Sequence, residues 1–247
     1  MKKTTIIIFV FTLFFVSCGT DEVPFEHKYV IDVVLKPDVK FQRAFVDSTY
    51  RLVSYLDPVQ TGISGAEIFI VNENSDTFTY SESDTMNGLY YTNDSFCVEY
   101  GMKYSVGVSV EGEFINREVQ VPGPLDIFSP DNLDTVSLNN PPLLIWNTCE
   151  YCFENTYLIT SYIDEETDSS EDYEYLPMLT TDTTLGIFSS GFLFKKKDTI
   201  YKILVEAMDS NAYNFAQMWV EYEELGEETI GLIGAISSDT VAVWVQE

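Results

Sequence analysis

The sequence predicts a mainly all-β protein of two tandem β-sandwich domains, the second with a short helix before its last strand. Three observations predict it. Apolar and polar residues alternate with period two: Tyr104, Val106, Val108 and Val110 stand against Ser105, Gly107, Ser109 and Glu111. A strand with one buried face needs that pattern, because successive side chains point to opposite sides. Turn signals such as Asn87-Gly88 and Glu111-Gly112 recur at short intervals. Near the C-terminus the period changes, and Ala212, Phe215, Ala216, Trp219 and Tyr222 fall at helical spacing.

The elements follow in chain order. Strands are expected at Tyr29–Leu35, Arg43–Tyr50 and Ala66–Val71, the last apolar on both faces and therefore central. Asn72 to Asp76 supplies a turn. The Tyr104–Val110 strand turns at Glu111-Gly112 into a partner carrying Ile115, Arg117, Val119 and Val121. About seven short strands over 28–121 suit one sandwich. Val121-Pro122-Gly123-Pro124 marks the boundary, since proline has no N–H for a ladder and fixes φ. The second unit, 125–247, opens with Phe128-Ser129-Pro130, Pro141–Trp146 and Tyr157–Ile163. It continues through Thr184–Phe188 and Thr199–Met208, where Tyr201, Ile203, Val205 and Ala207 share a face. Asp209 or Ser210 caps the helix by accepting from its free N–H groups, and Thr240–Val245 is the last strand.

Composition narrows the function. The chain has 247 residues, with 13 Lys+Arg against 40 Asp+Glu and a formal charge of −27. Such a surface repels a phosphate backbone, which excludes a nucleic-acid partner. With 45% hydrophobic and 15% aromatic residues, it is not a disordered acidic tail. No G-x-S-x-G elbow, H-E-x-x-H helix or P-loop occurs. The single histidine, His27, lies in an N-terminal tether, so a histidine-based triad has no base where it needs one. No catalytic residues are expected, and the chain reads as a non-enzyme. A hydrolase using paired carboxylates is the one enzyme class that composition leaves open.

The N-terminus carries the address. Lys2 and Lys3 precede an apolar run from Thr4 to Val16. That run is shorter than the ~20 residues a membrane-spanning helix needs, and has the anatomy of a secretory signal. Phe15-Val16-Ser17-Cys18-Gly19 resembles a bacterial lipobox, with small residues flanking a cysteine that accepts lipid through its sulfur. The competing reading is an ordinary signal with an incidental cysteine. Residues 1–17 are thus a lipoprotein signal peptide, Cys18 the lipid attachment site and 18–27 a lipidated tether. Cleavage leaves 230 residues, 11 Lys+Arg, 40 Asp+Glu and a charge of −29. Each buried acyl CH₂ contributes ~0.8 kcal/mol, so two chains anchor stably. Gly19-Thr20-Asp21-Glu22 resembles the surface-export signal of Bacteroidota-type lipoproteins, which implies a surface-exposed outer-membrane location. The periplasmic face is the alternative.

Other constellations are weaker. Cys149-Glu150-Tyr151-Cys152 is a lone CxxC. Zinc wants four ligands, and a thioredoxin-like role wants a βαβ setting. A local disulfide between Cys149 and Cys152 suits an oxidising envelope better, with free thiols as the alternative and Cys97 left over. The run from Asp164 to Asp172 packs in six carboxylates. Asp164, Glu165, Glu166 and Asp168 are candidate Ca²⁺ ligands, but the run lacks the turn glycine of an EF-hand and reads equally as a solvated loop. No other cofactor is expected. Tyr90, Tyr91, Tyr173 and Tyr175, with Tyr151 and Phe153, are candidates for a glycan-binding platform; core packing is the competing use of aromatics. Lys195-Lys196-Lys197 is too small a basic run for nucleic acid. Asp-Thr pairs at Asp84, Asp134, Asp198 and Asp239 resemble O-glycosylation sequons, or serve turn and strand starts.

Three stretches carry a resemblance. They are Gly65–Ile70 followed by Gly88-Leu89-Tyr90 and Tyr100–Val106; Val205–Asp209 followed by Tyr213 and Phe215; and Ile230-Gly231-Leu232-Ile233-Gly234-Ala235. With the lipobox, they resemble a broad group of Bacteroidota-type envelope lipoproteins. That resemblance implies an N-terminal Ig-like or transthyretin-like β-domain and a fibronectin type III-like C-terminal region, with a glycine-rich turn before the terminal strand. It brings no catalytic residues. It implies an accessory role beside an outer-membrane transporter or secretion complex. The alternative is a glycan-binding lipoprotein of a nutrient-uptake system. The partners expected are the membrane, through the lipid, and an envelope protein.

Overall fold

A computed structural model describes residues 28–49, 62–93, 96–137, 142–163, 177–186, 194, 198–221 and 231–246. The 1–27 segment with Cys18, the acidic run with Asp164, Glu165, Glu166 and Asp168, Tyr173, Tyr175 and the three lysines at 195–197 lie outside the described residues.

Strands dominate, as the alternation predicts. In the first unit, β1 (Tyr29–Leu35), β2 (Arg43–Ser48) and β5 (Leu89–Thr92) form one layer, and β3 (Glu67–Asn72), β6 (Lys103–Val110) and β7 (Glu113–Gln120) form the other. The strand β4 (Thr77–Glu82) changes layers along its length. Thr77 to Thr79 pair with β3, and Tyr80 to Glu82 pair with β5. Ile31, Val33, Leu35 and Val46 of the first layer share one core with Ile68, Ile70, Val106 and Val108 of the second. Each such side chain contributes roughly 1.5–3 kcal/mol on burial. The β6–β7 hairpin closes through Glu111 and Gly112, both with positive φ, the geometry that matches strand twist in a two-residue turn. Gln42 holds the β1–β2 connection: its buried amide accepts from Lys36 N and donates to the carbonyls of Lys36 and Val39.

The second unit sets a sheet of β12 (Met178–Thr180), β11 (Tyr157–Ile163), β14 (Thr199–Met208) and β15 (Ile233–Gln246) against a small sheet of β13 (Thr184–Gly186), β10 (Leu143–Trp146) and β8 (Ile127–Ser129). The short β9 (Asp134–Ser137) pairs in parallel with the end of β15. Leu144 and Trp146 bury against Tyr157, Ile159, Ile203, Val205, Val241 and Val243. Trp146 meets Tyr157 edge-on, 5.6 Å between ring centres. The helix α1 (Ser210–Glu221) forms where the helical spacing begins, and Asp209 caps it: Ala212 N donates to Asp209 Oδ1 at 2.8 Å.

One expectation is corrected. The terminal strand is longer than Thr240–Val245, and the glycine-rich segment is more than a turn leading into it. From Ile233 the chain is already β15, and Ile233 to Ala235 pair in parallel with Val33 to Leu35 of β1. Val33 N donates to Leu232 O at 2.7 Å, and Leu232 N donates to Asp32 Oδ1 at 3.0 Å. Gly231 makes this approach feasible. It sits at φ +127°, and a Cβ there would lie 2.2 Å from Ile31 O. The last strand therefore belongs to both units, and Ile233 and Ala235 pack in the first core although the sequence groups them with 125–247.

Candidate functional site

The residues that carry chemistry converge where the two units meet. There the linker Pro122-Gly123-Pro124 is gripped by the loop between β10 and β11. Asn147 Oδ1 accepts from Asp126 N at 2.6 Å, and Asn147 Nδ2 donates to Pro124 O at 2.8 Å. Gly123 N donates to Glu150 O at 2.6 Å. A side chain at Gly123 would press on the Glu150 backbone at 3.1–3.2 Å, so glycine is what lets loop and linker touch. Tyr151, 60% exposed, takes a left-handed φ of 62° and lays its ring over Gly101.

Inside this loop stand Cys149 and Cys152. The disulfide expected between them is not formed; both are free thiols, as is the exposed Cys97. The sulfurs are engaged in hydrogen bonds instead. Cys149 Sγ donates to Gly123 O at 3.0 Å, and Cys152 Sγ donates to Cys149 O at 3.2 Å. The backbone N–H of Cys149 donates to Tyr157 Oη at 2.9 Å. The two thiols are strongly unlike. Cys149 is pushed far up by hydrogen bonding with the neighbouring Cys152 thiol, and by burial. Cys152 is pulled down to about 7 by that same hydrogen bond, helped by the Tyr157 hydroxyl. Tyr157 itself is raised to about 12, chiefly by burial.

A second group lies under the helix start. Asp209 is 2% exposed, and burial pushes its carboxyl up to about 6 against the pull of backbone N–H groups. Its Oδ2 finds no hydrogen-bond partner among the described residues. A Cβ at Gly234 would meet Asp209 Oδ1 at 2.8 Å, so the second glycine of the Gly231–Gly234 pair makes room for the cap. Asn211 Nδ2 reaches across to Glu118 O at 2.9 Å. On the neighbouring sheet face burial raises Asp32, opposed by the Leu232 N–H and then by Arg43, and raises Glu206, opposed by Lys36.

The aromatic candidates separate. Tyr90 is a core residue: its hydroxyl donates to Ile63 O at 2.8 Å and accepts from Ala66 N at 3.0 Å. It cannot serve a sugar platform. Tyr91 points to the opposite face and is 41% exposed. Phe153 packs on Tyr213 of α1, 4.9 Å between centres. A pair that the sequence reading missed is Phe69 and Phe114, nearly parallel at 16° and 6.3 Å apart. Phe114 is 60% exposed, and Phe69 covers Gly107. The signal was present in the register: Gly107 faces Phe69 across β3–β6, the arrangement in which an aromatic ring shields a strand glycine.

Two of the Asp-Thr pairs hold backbone N–H groups, Asp134 in the turn before β9 and Asp239 from within β15. Asp134 Oδ2 accepts from Asp131 N, Asp239 Oδ1 from Thr240 N and Asp239 Oδ2 from Ile127 N. Among the described residues, no three His, Cys, Asp or Glu side chains gather as metal ligands, and no helix is long and apolar enough to cross a membrane.

No protein-family model and no curated protein matches this chain. Among solved structures it is similar to the fibronectin(III)-like modules of Clostridium thermocellum CbhA, at 13% identity and a TM-score of 0.24, over 90% of this chain and 94% of that one. A chimeric titin Z1Z2 gives 10% identity and a TM-score of 0.22 over 90% and 100% of the two chains. Titin domains I67–I69 give 9% and 0.22 over 89% and 65%. The strand registers above, not these low overlaps, define the fold.

Proposed function

We propose that this chain is a lipid-anchored cell-envelope protein acting as a non-catalytic interaction module, with an outer-membrane transporter or secretion complex as its partner. The observation that carries the reading is the shared strand. The β15 strand and the gripped linker join two sandwiches in one continuous sheet path. Such a build suits presenting a fixed surface better than closing around a substrate. The lipobox at Cys18 supplies the attachment, and the polar tether holds the first sandwich off the membrane. The formal charge of −29 keeps that surface soluble and disperses non-specific contacts. Surface display is part of the proposal, on the strength of Asp21 and Glu22 behind the lipid site.

Two experiments test it. Cys18→Ala should release the protein from the membrane fraction; a variant that still partitions with membranes after signal removal would refute the anchor. In mild detergent extracts of the native envelope the chain should migrate in a complex well above the mass of a single copy. Migration as a monomer would refute the partner. A second reading, glycan binding in nutrient uptake, is supported by the near-parallel Phe69–Phe114 pair. Phe114→Ala should then abolish binding on an oligosaccharide array, and an array without signal for the native chain would end that reading.

A further inference from the structure

We propose that Cys149 and Cys152 are a dithiol–disulfide exchange site set into the junction loop, with Cys152 receiving the incoming disulfide and Cys149 closing the ring. The geometry separates the two roles. Cys149 is 2% exposed, whereas Cys152 is only partly covered, so an approaching disulfide meets Cys152 first. The left-handed turn at Tyr151 folds the loop between them and seats Cys152 Sγ on the Cys149 carbonyl at 3.2 Å. In the neutral pair each S–H points at a carbonyl, Cys149 at Gly123 O and Cys152 at Cys149 O. Hydrogen bonding from the Cys149 thiol and the Tyr157 hydroxyl favours the Cys152 thiolate. That is the environment that makes one cysteine of a pair the attacking group.

The chemistry balances with a disulfide R–S–S–R as the only co-reactant. The Cys152 thiolate attacks one sulfur, forms a mixed disulfide and expels R–S⁻, which takes up the proton Cys152 gave to solvent. Cys149 then attacks Cys152 Sγ; its proton goes to the second departing R–S⁻. Two protein thiols are oxidised to one disulfide, and one R–S–S–R is reduced to two R–SH. Closure removes the S–H that Gly123 O accepts, so the redox state of the pair reaches the linker between the sandwiches.

The test uses the full mature chain carrying Cys18→Ala and Cys97→Ser, with oxidised glutathione as probe and mass spectrometry as readout. The expected product has lost two hydrogens, keeps no glutathione and maps to a Cys149–Cys152 bond. Adding Cys149→Ser should trap glutathione on Cys152, whereas adding Cys152→Ser should leave Cys149 reduced. As a check that needs neither variant, iodoacetamide should alkylate Cys152 roughly tenfold faster than Cys149 in the folded parent. Equal alkylation rates, glutathione retained on both cysteines, or a folded parent that stays fully reduced would each overturn the proposal.

Discussion

The two sandwiches are closed by different means. In the first, pairing is mostly local: β1 with β2, β3 with β4, β4 with β5, and β6 with β7 are neighbours in sequence. In the second, β11 with β12 and β14 with β15 follow one another in the chain, but β11 also pairs with β14, β10 with both β8 and β13, and β9 with β15, about a hundred residues away. The difference teaches where each unit's stability is decided. A hairpin-built sheet is fixed by its turns; a sheet closed by remote strands is fixed by whichever strand arrives last. Here that strand, β15, also completes the first unit through β1. The joint of this molecule is therefore a strand, with the proline-rich linker as its gripped companion.

Substitutions should break or sharpen that contrast. The largest effect belongs to Gly231→Val, which forces a side chain onto Ile31 O at a left-handed φ. We expect a loss of roughly 4 kcal/mol, read by calorimetry as a lower melting point for both sandwiches together. Gly65 serves as control: its φ is +79° but nothing lies within 4 Å, so Gly65→Ala should cost only about 1–2 kcal/mol.

Next comes Asp209. Its folded pKa of about 6 lies above the ordinary 3.8, so the folded state holds this proton more tightly. Its contribution is thus fully present below pH 4 and lost as pH rises to about 6. Across that window it removes about 3 kcal/mol. Asp209→Asn keeps the cap and removes the buried charge. Urea melts should show it approaching that much more stable than the native chain at pH 7, with the difference shrinking toward pH 4. Asp209→Ala should fall about 1 kcal/mol below Asp209→Asn, for the lost cap. A pH-independent difference between native and Asn forms would contradict the assignment.

Smaller again is Asn147→Ala, which frees the linker from Pro124 O and Asp126 N and should cost about 1–2 kcal/mol. Because β15 is the main joint, this variant should leave both sandwiches melting in one transition; two transitions would give the linker the larger part. The smallest is Gly112→Ala, at φ +93° with open space around it. It should cost about 1 kcal/mol, with loss of amide protection confined to β6 and β7.

What the sequence made legible follows from the same contrast. Alternation and turn dipeptides announce β6, β7 and the Glu111-Gly112 turn, and a continuous apolar run announces β3, because those features are written within a dozen residues. Asp209 was readable as a cap from its place before Ala212, Phe215 and Ala216. The β9 and β12 strands were not, since strands of three or four residues hold too little alternation, and β9 pairs with β15 far along the chain. The Gly231–Gly234 pair read as a turn, whereas the glycines serve close approach, to Ile31 in one case and Asp209 in the other. Of the candidate site, Cys149 and Cys152 were visible as a pair, while Gly123 and Tyr157, which bond Cys149, come from the linker and from β11.

The most direct test is hydrogen exchange at the Val33 amide, whose partner is Leu232 O. The shared-strand account predicts that Val33 exchanges as slowly as the amides of Ile203 and Val205 in β14. It also predicts that Gly231→Val accelerates Val33 and β15 together. A Val33 amide that exchanges like a loop residue in the native chain, or a β15 that stays protected after Val33 has opened, would contradict it.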